Sequence, residues 1–321
     1  MTTRRNRLAD PGAPEYRRNL GFWRRSEQAI MQESTIAIAG AGGDGHDLAL
    51  ALAMMAGPAE IRIADPETFV PENSNRVAWA HTETYGRLKV DVLRESIQKI
   101  RPHTRVISYP EGVTPDNVDE FVRGANLVLD ESELHYLQVG TALARAARRH
   151  GVSNLLVMNI GFGAIATSFA PRSRYTYERM MGLPPDITLE EAATRATALD
   201  RCVPYVPPYG DLATFRETVA GAPLPSVVQG VKAAVSLGAT EALLHLTRRD
   251  ANRRRSPVFA PYWAYTDPMT LRSGRVRAAR ASHWSGLAVL AGRSALGLNP
   301  RASYGDEVAG AEAGEEVPSS N

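Results

Sequence analysis

Short runs of branched apolar residues alternate with longer amphipathic stretches through the first half of the chain. STIAIAG (34–40), AEIRIAD (59–65), TRVISYP (104–110), NLVLDE (126–131) and NLLVMN (154–159) are rich in Ile, Val and Leu. Such runs suit strands buried on both faces. Helical patterns fill the intervals at 44–57, 82–101, 115–123 and 135–150. The repeated strand–helix–strand order predicts an α/β fold: a doubly wound, Rossmann-like, mostly parallel sheet with helices on both faces.

Beyond residue 170 the pattern changes. ITLEEAATRATAL predicts a helix opened by a capping box from Thr188 to Glu191. PSVVQGVKAAVSLGATEALLHLTRRD (225–250) predicts a long helix, small and apolar almost all round, and so buried against the rest of the protein or against a second subunit. HWSGLAVLAGRSALG closes the ordered part, and no internal repeat is present.

Composition narrows the class. With 321 residues and 44% apolar content the chain can bury one large core or two modest ones. No run of eighteen apolar residues exists, and the arginines of MTTRRNRLADPG have no apolar stretch behind them, so neither a membrane span nor a secretory signal is expected. The expected location is cytoplasmic. The single cysteine, Cys202, excludes an internal disulfide, a four-cysteine zinc site and a CxxC redox pair together. A net charge of +2 calls for no nucleic-acid partner. Its distribution is uneven: Arg4, Arg5, Arg7, Arg17, Arg18, Arg24 and Arg25 crowd the head, whereas the tail GDEVAGAEAGEEVPSSN carries only acids, small residues and polar residues. The tail is expected to be disordered.

The chemistry begins at IAIAGAGGDGHD (36–47). Glycines after a strand let the backbone approach an anion closely, and the helix that follows offers free N–H groups and a positive dipole end. Gly40, Gly42, Gly43 and Gly45 meet that description, and Asp65, 25 positions after Gly40, ends the next strand where an acid would bond ribose hydroxyls. These features fit a nicotinamide or flavin protein, an ATP-binding protein, or a tight turn that binds nothing.

The polar loop DPETFVPENSNRVAWAHTETYGRLKVD separates these cases. It brings Asn73 and Arg76 close together, with Lys89 following in a helix. Hydride transfer needs no such cations around its phosphates. Attack of a carboxylate on the α-phosphate of ATP does, because both reactants are anionic and the transition state gathers charge on its oxygens. Lys89 is one of only three lysines, with Lys99 and Lys232, among 37 basic residues. A chain that favours Arg this strongly keeps Lys where a compact point charge is required; the plainer alternative is a solvated helix face. His46 and His81 lie near the loop without metal-site spacing and read as structural or solvated. RRDANRRRS (248–256) reads as the solvated end of a helix.

IAGAGGDG, Asp65, PENSNR, GRLKV and RPH, in that order, resemble the ThiF/MoeB/HesA family of ATP-dependent adenylating enzymes, prokaryotic relatives of ubiquitin-activating enzymes. The corresponding family pattern is GAGGxG, DxDxVxxSNLxRQ, GxxK and NP. Upstream, YRRNLGFWRRSEQAIMQES is similar to the family's RYxRQ and EQxxL segments. Downstream, LVLDESELHY, RCVPYVPP and GATEALLHL resemble its VxDxxDN, RCLxP and QAxEAIKxL segments. The resemblance implies ATP-dependent adenylation of the C-terminus of a small ubiquitin-like carrier protein or a peptide, with release of pyrophosphate, by a homodimer using ATP and Mg2+. It implies a catalytic set of Asn73, Arg76, Lys89 and Arg18 of the partner subunit. Nucleotide binding falls to Gly40, Gly42, Gly43, Asp44, Gly45, Asp65, Glu67 and Asp130.

Departures from the pattern are informative. The family's metal-binding Asp, followed by Asn, is here Glu133 followed by Leu134, so Glu133 is the Mg2+ candidate and Asp130 can share its work. Glu67 stands in place of Asp, and Val77 in place of Gln. Many members bind zinc through two CxxC pairs; Cys202 matches one cysteine, its partner position is Leu199, and no zinc is expected. Cys202 reads as a buried small hydrophobe rather than a nucleophile, which leaves the adenylate to an external acceptor. The implied organisation is an arm and lead-in helix (1–33), an ATP-binding adenylation domain (34–170), a crossover, substrate-binding and dimerisation part (171–300) and the acidic tail (301–321). Two alternatives stand beside it: a relative that binds ATP or a partner without turnover, and a Rossmann oxidoreductase.

Overall fold

The structure, a computed structural model, describes residues 10–219, 224–248 and 255–300. The acidic tail and most of the basic run 248–256 lie outside the described residues. Five strands form where the apolar runs predict them: β1 (Thr35–Ala39), β2 (Glu60–Ala64), β3 (Arg105–Tyr109), β4 (Leu127–Asp130) and β5 (Asn154–Ile160). α1 (Arg25–Gln32) precedes β1, and α2 (Gly43–Ala56), α3 (Lys89–Ile100), α4 (Val118–Val122) and α5 (Leu137–Arg149) connect the strands in turn. These five strands are parallel in the order β3-β2-β1-β4-β5. The chain winds outward through β2 and β3 on one side and through β4 and β5 on the other. The switch point therefore lies between β1 and β4, where doubly wound proteins open a crevice beyond the strand ends.

Alternation along β1 builds both layers. Ile36 and Ile38 join the core beneath α2 and α3, while Ala37 and Ala39 face the core of Phe121, Val122, Leu143 and Ala146 on the opposite side.

Three further strands escape the apolar pattern. β6 (Gly163–Phe169), β7 (Tyr262–Asp267) and β8 (Arg272–Arg277) extend the sheet antiparallel, giving eight strands in one sheet among the described residues. β5 turns into β6 at Gly161 and Phe162, with Gly161 at a φ of +58°. α6 (Tyr177–Met181), α7 (Leu189–Ala193), α8 (Leu199–Cys202), α9 (Leu212–Val219) and α10 (Val228–Leu246) lie between β6 and β7, and α11 (Arg280–Ala295) follows β8.

Two expected helices are shorter than their patterns. The stretch 82–101 is helical only from Lys89, because Thr84 and Gly86 hold the preceding residues in turns. The capping box closes as expected, with Thr188 and Glu191 exchanging bonds of 2.9 and 3.1 Å, yet α7 runs for five residues only. The helix at 225–250 is expected to be buried against the rest of the protein or against a second subunit, and the structure shows the first of these. α10 places Ala233, Ala234, Gly238 and Ala242 against its own chain, with Gly238 seated on Leu48 and Val157. Its exposed positions include the polar Gln229, Lys232, Ser236 and Thr240.

Cys202 is fully buried with Leu137, Ile165 and Trp263, and burial pushes its thiol up to about 12. Among the described residues no helix is long and apolar enough to cross a membrane.

Candidate active site

The glycine loop sits at the switch point. Gly40 leaves β1 at a φ of +102°, a conformation L side chains rarely adopt, and a Cβ there would overlap the Glu131 carbonyl. Its N–H donates to the Ala64 carbonyl at 2.7 Å. Gly42 caps α2, so the first turn of the helix directs unpaired N–H groups into the crevice. Asp65 braces the loop: one carboxylate oxygen accepts from the Ala41 N–H at 2.6 Å and the other from the Glu67 N–H at 2.8 Å. Burial raises the Asp65 pKa, against the nearby Lys89 charge and these two bonds.

The two candidate cations lie close to the loop in different settings, Arg76 beside Gly43 and Lys89 near Asp65. Lys89 begins α3, is buried, and pairs with the Glu67 carboxylate, which is itself half exposed. It lies inside the site rather than on its rim. Arg76 ends the 3-10 turn Pro71–Asn75 and donates to the Glu72 carbonyl at 3.0 Å and the Asn75 side-chain oxygen at 2.8 Å. Its aliphatic stem passes 3.4 Å from where a Cβ at Gly43 would stand. Asn73 is buried and caps that turn through the Val70 N–H at 3.1 Å, so its side-chain oxygen shapes the loop that carries Arg76.

The acidic side of the crevice is formed by α2 and the segment after β4. Asp44 accepts from the Asn159 backbone N–H and side-chain amide, both at 2.8 Å and both at Oδ2. Its Oδ1 is shut off from solvent with no partner. Burial lifts the Asp44 pKa to about 7, opposed by the Asn159 bonds and Arg76 and assisted by the Glu133 charge. Asp130, fully buried at the end of β4, accepts from the Ser132 hydroxyl at 2.6 Å. Glu131 lies beneath the loop, with neither carboxylate oxygen paired. Burial, with Asp44 and Asp130 nearby, holds its pKa well above the usual range. Glu133 is exposed.

The structure thus gathers Gly40, Gly42, Gly43, Asp44, Gly45, Asp65, Glu67, Asn73, Arg76, Lys89, Asp130 and Glu133 around the carboxyl ends of β1, β2 and β4. Arg18 is not among them. It lies on the 3-10 turn Pro14–Asn19, held against the other end of α2: Tyr16 packs on Gly57, and Asn19 donates to the Met55 carbonyl at 3.2 Å. The fourteen residues of α2 separate the two ends by about 21 Å. Asn75, Asn159 and Glu131 are additions from the structure. Asn75 also donates to the Ser226 carbonyl at 3.0 Å, tying Arg76 to the approach of α10.

Among the described residues no group of three or more His, Cys, Asp or Glu side chains could hold a metal ion. Mg2+ needs fewer, since it keeps waters and phosphate oxygens and takes one or two carboxylates. The hard oxygen donors of Glu133 and Asp44, beside the glycine loop and the N-terminal end of α2, suit such an ion.

A glycine loop, a following helix and a bracing acid at the switch point of a doubly wound sheet have the layout of a nucleotide-binding α/β protein. The ThiF family model matches residues 16–283, and the chain belongs to the ThiF family. It is 34% identical over 109 residues to the adenylyltransferase and sulfurtransferase UBA4 of Candida albicans, covering 34% of this chain and 25% of that protein. With the uba4 protein of Aspergillus niger it shares 30% identity over 143 residues, 41% of this chain and 29% of the relative. The matches thus span a quarter to three tenths of these relatives. Of solved structures, E. coli MccB with ATP superposes with a TM-score of 0.61 at 13% identity, covering 85% of this chain and 74% of MccB. PaaA does so with a TM-score of 0.60 at 14% identity, covering 84% and 75%. At these identities the likeness is one of fold.

Proposed function

We propose that this chain activates a carboxylate with ATP. A carboxylate oxygen attacks the α-phosphorus, the bond from that phosphorus to the bridging oxygen breaks, pyrophosphate leaves, and an acyl-adenylate remains. The observation that carries the reading is the pair of cations at the glycine loop, Arg76 beside Gly43 and Lys89 near the bracing Asp65. The α2 N–H groups and the loop take the phosphates. Asp65 retains a free lone pair on each oxygen for the ribose hydroxyls. Lys89 exchanges Glu67 for a phosphate oxygen, and Arg76, already oriented by Glu72 and Asn75, meets the charge that grows on the α-phosphate. A bound Mg2+ would offset phosphate charge from Glu133. The substrate class is the C-terminus of a ubiquitin-like carrier or a peptide, as membership of the ThiF family supports. The only cysteine is buried, so the acyl group passes to an external acceptor rather than to a thiol of this chain. Arg18 completes each site from a second copy, because its own site lies at the far end of α2.

The test is exchange of labelled pyrophosphate into ATP in the presence of candidate carrier proteins and peptides. Exchange that depends on a free carboxylate is the expected result. Nucleotide binding without exchange for any carboxylate leaves a binding protein. Stabilisation by NAD(P)H and not by ATP would return the oxidoreductase alternative.

A further inference from the structure

We propose that Asp44 is a direct ligand of the divalent cation that accompanies the nucleotide, acting with Glu133 at the mouth of the glycine loop. The inference rests on the ATP-dependent reading above.

Asp44 stands in the first turn of α2, at the N-terminal end expected to receive phosphate. Two anions contending for one helix end repel, unless a cation lies between them. The side chain is fixed, since Oδ2 holds both the Asn159 N–H and its side-chain amide at 2.8 Å. That leaves Oδ1 buried and unmatched. Protonation would remove the buried charge but would leave an O–H with no acceptor, so the oxygen would still be unsatisfied. Arg76 is the nearby cation and its charge acts on Asp44, but it makes no hydrogen bond to Oδ1. Glu133 is close enough for its charge to act on Asp44, and it is exposed and free to turn inward. A divalent ion between these carboxylates and two phosphate oxygens would satisfy Oδ1 and separate it from the nucleotide. Two carboxylates with phosphate oxygens and water make an ordinary Mg2+ shell.

Asp44→Asn tests this cleanly. The remaining carbonyl oxygen still accepts both Asn159 bonds, and only the unmatched oxygen becomes an amide. Asp44→Ser removes the carboxylate by a different route and serves if the first variant folds poorly. Calorimetry with a non-cleavable ATP analogue, with Mn2+ and with a chelator, gives for each chain the factor by which metal tightens binding. Low-temperature spin resonance of Mn2+ checks that the ion is bound. The factor is expected to fall at least tenfold in D44N, D44S and E133Q, and the D44N/E133Q double variant to fall less than the product of the singles. Wild-type metal dependence in D44N and D44S, or metal-independent binding in the wild type, overturns the proposal. A wild-type chain that binds no ATP analogue with or without metal overturns the ATP reading together with it.

Discussion

At the scale of single residues, Lys89 shows how far sequence reasoning reaches. Its rarity in an arginine-rich chain and its distance from the glycine loop mark it for a phosphate, but its burial and its pairing with Glu67 become visible only when α3 starts at that residue. Lys89→Ala therefore has two costs. It removes a preorganised charge stabiliser, expected to lower pyrophosphate exchange on the order of a hundredfold. It also removes the cation that offsets the buried Asp65, expected to lower stability by about 1–3 kcal/mol. Arg76→Ala, at a less enclosed position, should lose exchange to a similar degree with little change in Tm. Kinetics and thermal melts on the two variants check both parts, and equal stability losses would contradict the different settings of the two cations. Asn75, Asn159 and Glu131 carry no comparable signal in the sequence. Their roles depend on Ser226, Asp44 and Gly45 arriving from elsewhere in the chain.

At the scale of elements, the parallel strands were legible because burial on both faces leaves uninterrupted apolar runs. β8 was not, since RSGRVR is an exposed edge strand with one apolar residue, and β6 hid behind Gly161 as a continuation of β5. A hairpin signal was present in the two-residue break of IGFG. Glycine in a helix gives a sharper test of the loop. Alanine is favoured over glycine in helices by about 1 kcal/mol, but a Cβ at Gly45 would overlap the Gly40 carbonyl and stand 3.0 Å from the Glu131 Cβ. Gly292 in α11 has nothing within 4 Å. Gly45→Ala is expected to destabilise by about 1–3 kcal/mol and to abolish nucleotide binding, whereas Gly292→Ala should be neutral or gain about 0.5–1 kcal/mol. Denaturant midpoints with and without ATP separate these outcomes.

At the scale of the whole molecule, the doubly wound order could be anticipated from alternating elements, whereas the distance from Arg18 to the crevice could not. A basic residue eighteen positions into the chain is free, on sequence alone, to fold back over the glycine loop. The packing of Tyr16 on Gly57 and the Asn19 bond to Met55 instead fix its turn at the other end of α2, about 21 Å from the loop. An arginine side chain extends about a third of that length, so if Arg18 acts on ATP it acts in a second copy of the chain. The apolar face of α10 no longer argues for that second copy, since it is covered within the chain. The geometry of Arg18 alone then makes the prediction. In an isologous dimer each site draws Arg18 from one chain and Lys89 from the other. Chains carrying Arg18→Ala and chains carrying Lys89→Ala should each be nearly inactive alone. Mixed in equal amounts and allowed to exchange, half the dimers become heterodimers, and one of the two sites in each holds both cations. Exchange activity should return to about a quarter of the wild-type value per chain. Sedimentation should show a dimer at the assay concentration. Recovery absent after subunit exchange has been demonstrated with labelled chains, or full activity of Arg18→Ala by itself, would remove Arg18 from the site.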